Sequence, residues 1–324
     1  MQERLYGLDA LRGLAAFVVV LLHLGFPIGG AHLAVDFFFM LSGFVMARTY
    51  EARLTSGALS PWRFVVARYR RLWGWMALGT SIGLVAALAR GDFSGDLLLA
   101  WGLMLAMLPA LNMAATTPYL LNQPLWSIFY ELLANVAHAF GLARMGRKGL
   151  LALALVCAVG LAWAIERHGF PRGGFPMYHW LVLWRVGLAY VLGVLIFRLW
   201  GDVPPIRVSP LLALAVLPAY VLATYFWPVA WGPLLFILVL APLMMFGGMA
   251  ARPEGWRRNL AAWLGALSFP LYALHYPAIA LLQTPGGAAG LLLVICALWL
   301  WHRRRKAAQP AGREMAPKPA DASA

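Results

Sequence analysis

Ten stretches of this chain are apolar for long enough, or nearly so, to cross a bilayer: 8–27, 33–47, 72–89, 125–142, 150–165, 177–197, 210–226, 229–249, 260–282 and 284–301. A helix needs about 20 mostly apolar residues to span the hydrocarbon layer, and lipid tolerates neither exposed loops nor open sheet edges. The expected fold is therefore an all-α integral membrane bundle. Composition agrees, with 62% hydrophobic and 12% charged residues, where a soluble domain is about half apolar and a quarter charged. Cys157 and Cys296 both lie inside apolar runs and form no CxxC pair. They read as small buried hydrophobes, and neither a disulfide framework nor a metal site is expected.

Charge sets the topology. An eleventh candidate, "LLLAWGLMLAMLPAL" at 97–111, is shorter than the rest. If it does not cross, there are ten spans with both termini cytoplasmic. The inner segments then hold 21 of the 26 basic residues, as the positive-inside rule requires. If it crosses, every later basic loop turns outward. It is therefore read as a re-entrant or interfacial segment on the outer side. The net charge of +14 is by this account a topological signal, and no nucleic-acid partner is expected. Asp9 and Arg12 interrupt the signal-peptide-like N-terminus, so no cleavage is expected. The expected organisation is a transmembrane domain over 1–302 and a basic, then Ala/Pro-rich disordered cytoplasmic tail over 303–324.

An ionisable group inside a span costs about 3 kcal/mol or more at the helix centre, so each is a functional candidate. The first span, "LDALRGLAAFVVVLLHLG", carries Arg12 and His23. Eleven residues at 100° each bring them to within about 20° on one helix face, about 16 Å apart. Asp9, three residues before Arg12, is placed to pair with it. Counting along alternating spans, His23, Asp36, Glu131 and His275 fall at similar depth on four helices, where convergence would make a polar pocket. Plainer readings remain open: His23 as an interfacial histidine, Asp36 as a first-turn helix acid, and Arg185 as the ion-pair partner of Glu131. His138 and His179 lie near helix ends and read as interfacial.

Five segments in order resemble the membrane-bound acyltransferase 3 family. "LDALRGLAAFVVVLLH" is similar to its Arg and His separated by ten residues, and "AVDFFFMLSGFVMA" to its second-helix signature. "QPLWSIFYELLAN" resembles WSL-x-x-E, with Trp126 and Glu131, and "WRVGLAYVLGVLIF" carries the family's Arg, aromatic and Gly spacing from Arg185. "LGALSFPLYALHYP" resembles SY-x-x-YL-x-H-x-P, with Phe269 in place of the tyrosine. One departure is Gly74, where the basic segment holding Arg68 and Arg71 usually continues to a proline.

The resemblance implies an O-acyltransferase of the inner (cytoplasmic) membrane. Acyl-CoA, with acetyl-CoA the first expectation, would be a co-substrate, and no tightly bound cofactor is implied. The acceptor would be a hydroxyl of a carbohydrate or cell-envelope glycan. A hydroxyl needs a general base at neutral pH, and His23 is the candidate, with Glu131 to orient it and Arg12 further along the donor path. Arg12, Arg68 and Arg71 are the candidates for coenzyme A phosphates. Asp36, Arg185, His275 and Trp126 are those for substrate contacts. An acyl-enzyme on Ser42 or Ser127 is less favoured, because the sequence offers no base beside either. The rival is a transporter or flippase of an envelope glycan or lipid-linked precursor, against which the absence of an internal repeat argues. The segment "TPGGAAG" lacks the GK[ST] of a P-loop.

Overall fold

A computed structural model of the chain describes residues 3–110, 117–170, 180–284 and 286, and among these the regular structure is entirely helical. The order is α1 (Tyr6–His23), a 3₁₀ turn (Gly29–Leu33), α2 (Ala34–Thr55), α3 (Pro61–Ala89), α4 (Gly95–Leu105), α5 (Leu125–Phe140) and α6 (Arg147–His168). Then come α7 (Val182–Trp200), α8 (Pro210–Phe226), α9 (Gly232–Leu235), a π turn (Phe236–Leu240), α10 (Ala241–Ala250) and α11 (Gly255–Leu282). Among the described residues seven helices are long and apolar enough to cross a membrane, counting Gly232–Ala250 as one, and α8 is shorter. The tenth expected span, the tail, Cys296 and His179 lie outside the described residues.

Proline and small residues place the breaks. Pro61 and Pro210 each stand in the first turn of their helix, where the missing N–H removes no helical hydrogen bond. Helices α2 and α7 cross where Gly43 meets the Tyr190 carbonyl and Gly193 meets the Met40 carbonyl, contacts too close for any side chain. Close backbone approach over small residues is how helices associate in lipid, where apolar burial gives little drive. At one end of the bundle Arg48 pairs with Asp202 (2.6 Å) and Arg198 with Glu51 (2.8 Å). Arg198 also donates to the Leu142 and Ala143 carbonyls. This is the arginine-rich end. The opposite end carries His23 and the 3₁₀ turn.

Within the 97–111 candidate the described residues form one short helix. Helix α4 has 11 residues, about 16 Å at 1.5 Å each, too short to span. It enters from the end where α3 finishes, with Trp101 Nε1 bonded to Ser81 Oγ and Trp73 Nε1 to the Leu105 carbonyl. The chain then turns back, the Ala110 N–H donating to the Pro118 carbonyl (2.8 Å), and Leu121 packs against Gly83. Helix α5 continues to the arginine-rich end, where Phe140 meets Trp62.

Candidate active site

Two cavities lie back to back along the bundle axis. The first, ≈ 350 Å³, opens among Arg12 of α1, Ser42 of α2, Arg68, Arg71 and Trp75 of α3, Glu131 of α5 and the 265–272 stretch of α11. Glu131 Oε1 accepts from Arg68 Nη2 (3.1 Å) and from Ser42 Oγ (3.2 Å). Arg12 lies 3.2 Å from Asp9 Oδ1 and donates to the Gly265 carbonyl. Asp9 is also bonded by Arg4 Nε (2.6 Å), so the predicted Asp9–Arg12 pair is present within a triad. The lining therefore holds three guanidinium groups and one carboxylate, a cationic cavity suited to phosphate.

The second cavity, ≈ 570 Å³, is lined by His23, His32, Gln123, Trp126, Arg185 and Tyr225 among others. Behind His23 stands His275. Its Nδ1 lies 2.8 Å from the Tyr272 carbonyl and 3.1 Å from that of Leu271. Carbonyls only accept, so in the neutral ring Nδ1 carries the proton and Nε2 is an acceptor. That Nε2 is 3.1 Å from His23 Nδ1, which is also 2.9 Å from the Val19 carbonyl. Flanked by two acceptors, His23 Nδ1 carries its proton; the Gln123 side chain is a further hydrogen-bond partner of the ring, and Nε2 is the nitrogen left to accept a proton. This is the tautomer a general base requires.

Asp36 and Arg185 form a fully buried pair, Nε to Oδ1 at 2.6 Å and Nη2 to Oδ2 at 2.7 Å. Arg185 also donates to the His32 carbonyl (2.9 Å), and its guanidinium lies over the Phe170 and Trp126 rings. The pair ties α7 to α2 under the floor of the second cavity.

The structure corrects the sequence reading in four places. Glu131 meets neither His23 nor Arg185; it sits in the arginine cavity. The cause is α5, which begins partway through the bundle because α4 and its return lie toward the end that carries His23. A residue two turns into α5 is therefore nearer the arginine-rich end than a full-length span would put it. Arg185 pairs with Asp36, which is thus more than a first-turn helix acid. His138 is fully buried against Tyr190 and not interfacial. Ser42 does have a carboxylate beside it, though Arg68 shares that oxygen, while Ser127 Oγ is bonded to the Tyr272 hydroxyl (2.6 Å) and to the Pro124 carbonyl (3.0 Å). Tyr272, His32 and Gln123 were not singled out from the sequence. Only Tyr272 carried a signal, one helical turn before His275 on the same face.

Buried polar chambers inside an apolar helical bundle, one cationic and one built around an imidazole pair, define a membrane-embedded enzyme. The family model described as "Acyltransferase domain" (acyltransferase 3) matches residues 5–301. The chain belongs to that family and is an acyltransferase. It is 34% identical over 180 residues to "Protein 2 in picA locus" of Rhizobium radiobacter, covering 49% of this chain and 93% of that protein. It is 26% identical over 300 residues to "Putative membrane-bound transacylase BcsY" of Komagataeibacter xylinus, covering 86% and 74%. No solved structure matches the chain.

Proposed function

We propose that this acyltransferase moves an acyl group, acetyl in the first instance, from acyl-CoA to a hydroxyl of a carbohydrate or cell-envelope glycan. The observation that carries the reading is the division of the site, with cations on one side and an imidazole poised as a base on the other. In this reading the arginine-rich end is cytoplasmic, both termini lie there, and the membrane is the inner one. Coenzyme A enters the first cavity. Arg12, Arg68 and Arg71 hold its phosphates, and Glu131 fixes Arg68. The acceptor enters the second cavity and rests against Trp126.

His23 Nε2 takes the proton of the acceptor hydroxyl as the oxygen attacks the thioester carbonyl carbon. A C–O bond forms, the tetrahedral intermediate collapses, and the C–S bond breaks. The thiolate leaves and receives the proton that His23 carried, so the ring ends neutral. His275 accepts from His23 Nδ1 throughout and keeps Nε2 available. The relative whose printed name is transacylase lends support to group transfer over transport.

The test is transfer of radiolabelled acetyl from acetyl-CoA to envelope glycan in membranes holding wild-type or His23→Ala protein at equal folded level. Loss of label by about 10²–10⁴-fold is expected for removal of a general base. Equal label would retire His23 as the base. No label in wild-type membranes would remove acetyl-CoA as donor.

A further inference from the structure

The two cavities are separated by very little. Val35 of α2 and Tyr272 of α11 line both of them. Ser127 faces the arginine cavity, and Pro124, one turn earlier, faces the histidine cavity. Tyr272 is clamped in this position. Its hydroxyl lies 2.6 Å from Ser127 Oγ, which donates to the Pro124 carbonyl (3.0 Å). Ser127 has only one proton, so Tyr272 donates to Ser127. On the opposite face the Phe38 ring packs edge-on against Tyr272 at 5.7 Å. The Tyr272 carbonyl accepts from His275 Nδ1 at 2.8 Å, which puts the partition within one helical turn of the histidine pair.

Resting on the acyl-transfer reading, we propose that Val35, Ser127 and Tyr272 form the aperture through which the acyl group reaches His23, and that this aperture sets the longest acyl chain transferred. Coenzyme A, with its nucleotide and pantetheine arm, stays in the arginine cavity. Only the acyl end threads between the Val35 methyls and the Tyr272 ring. Val35 is the adjustable edge, because its side chain makes no hydrogen bond. Tyr272 and Ser127 are positioned by theirs. Fit to an apolar constriction discriminates by about 10- to 200-fold per methylene, so one methyl on Val35 is enough to move the limit.

The experiment presents full-length protein in membranes with acyl-CoA donors from acetyl to octanoyl and measures acyl transfer to glycan. The variants are Val35→Ala, Val35→Leu and Ser127→Ala. Val35→Ala and Ser127→Ala are expected to raise the longest donor's rate relative to acetyl by roughly tenfold or more. Val35→Leu is expected to lower that ratio. Wild-type transfer with the same chain-length profile in all variants would overturn the aperture and leave the acyltransferase reading standing. No transfer from any donor by the wild type would overturn the acyl-CoA reading and the aperture with it.

Discussion

The two cavities hold their charges in different ways. In the histidine cavity, Asp36 and Arg185 form a bidentate ion pair. Both carboxylate oxygens are bonded, the side chains are 0% and 1% exposed, and aromatic rings cover the guanidinium. In the arginine cavity, the pair of Arg68 and Glu131 rests on a single 3.1 Å contact, with side chains 7% and 19% exposed, and Arg12 and Arg71 line the same space. The Asp36–Arg185 pair is bidentate and buried, whereas Arg12, Arg68 and Arg71 line open space around one carboxylate. The same residue types therefore hold helices together on one side and stand ready for an anion on the other.

The sharpest way to break this contrast is to remove Asp36. Leaving Arg185 buried without its carboxylate is expected to cost about 3–5 kcal/mol, read as a large fall in thermal midpoint in detergent. The double change Asp36→Leu with Arg185→Met should recover much of it. If Asp36→Ala unfolds at the wild-type temperature but fails to bind acceptor, the pair belongs to the substrate and not to the scaffold.

Next in size is a split between His275 and Arg71. His275→Gln keeps a group near His23 but loses the fixed acceptor, and kcat is expected to fall about 10- to 100-fold, as for loss of a supporting shell, with donor KM unchanged. Arg71→Gln should do the reverse, raising acyl-CoA KM by about tenfold for a lost charge-assisted contact with kcat largely kept. Steady-state kinetics against both substrates decides the matter. Equal effects on kcat and KM in both variants would mean the two cavities do not divide the work.

The smallest effect probes the region between them. Pro277 has no N–H to offer the Ala273 carbonyl four residues before it. Asn122 Nδ2 takes that place at 3.0 Å, joining the return segment after α4 to α11. Asn122→Ala should cost about 1–3 kcal/mol for the orphaned carbonyl, measured by thermal unfolding. A variant as stable as wild type would show that another group relieves that carbonyl.

Much of this was legible in one dimension. Apolar runs mark membrane helices wherever they occur, because lipid leaves the backbone no other partner than itself. The placement of basic residues argued against a crossing at 97–111, and the helix found there has 11 residues, short of the about 20 that a span needs. Asp9 and Arg12 could be paired on sight, since three residues along a helix fixes their mutual geometry. Arg12 and His23 do share one helix, and each lines a different cavity, as a 16 Å separation allows.

What was not legible has one physical cause. Residue counting along a helix measures depth, while contacts between helices depend on rotation about the axis and on where each helix begins. The start of α5 partway through the bundle moved Glu131 out of the histidine's reach and into that of Arg68. The close crossing of α2 and α7 at Gly43 and Gly193 brought Arg185 to Asp36. The packing of α11 on α1 put His275, and not an acid, behind His23. The amino-acid sequence by itself determined the medium, the run of helices and the few polar groups that had to find partners. Tertiary packing alone decided which partners they found, because every such pairing joins residues far apart in the chain and is governed by helix rotation that no local spacing encodes.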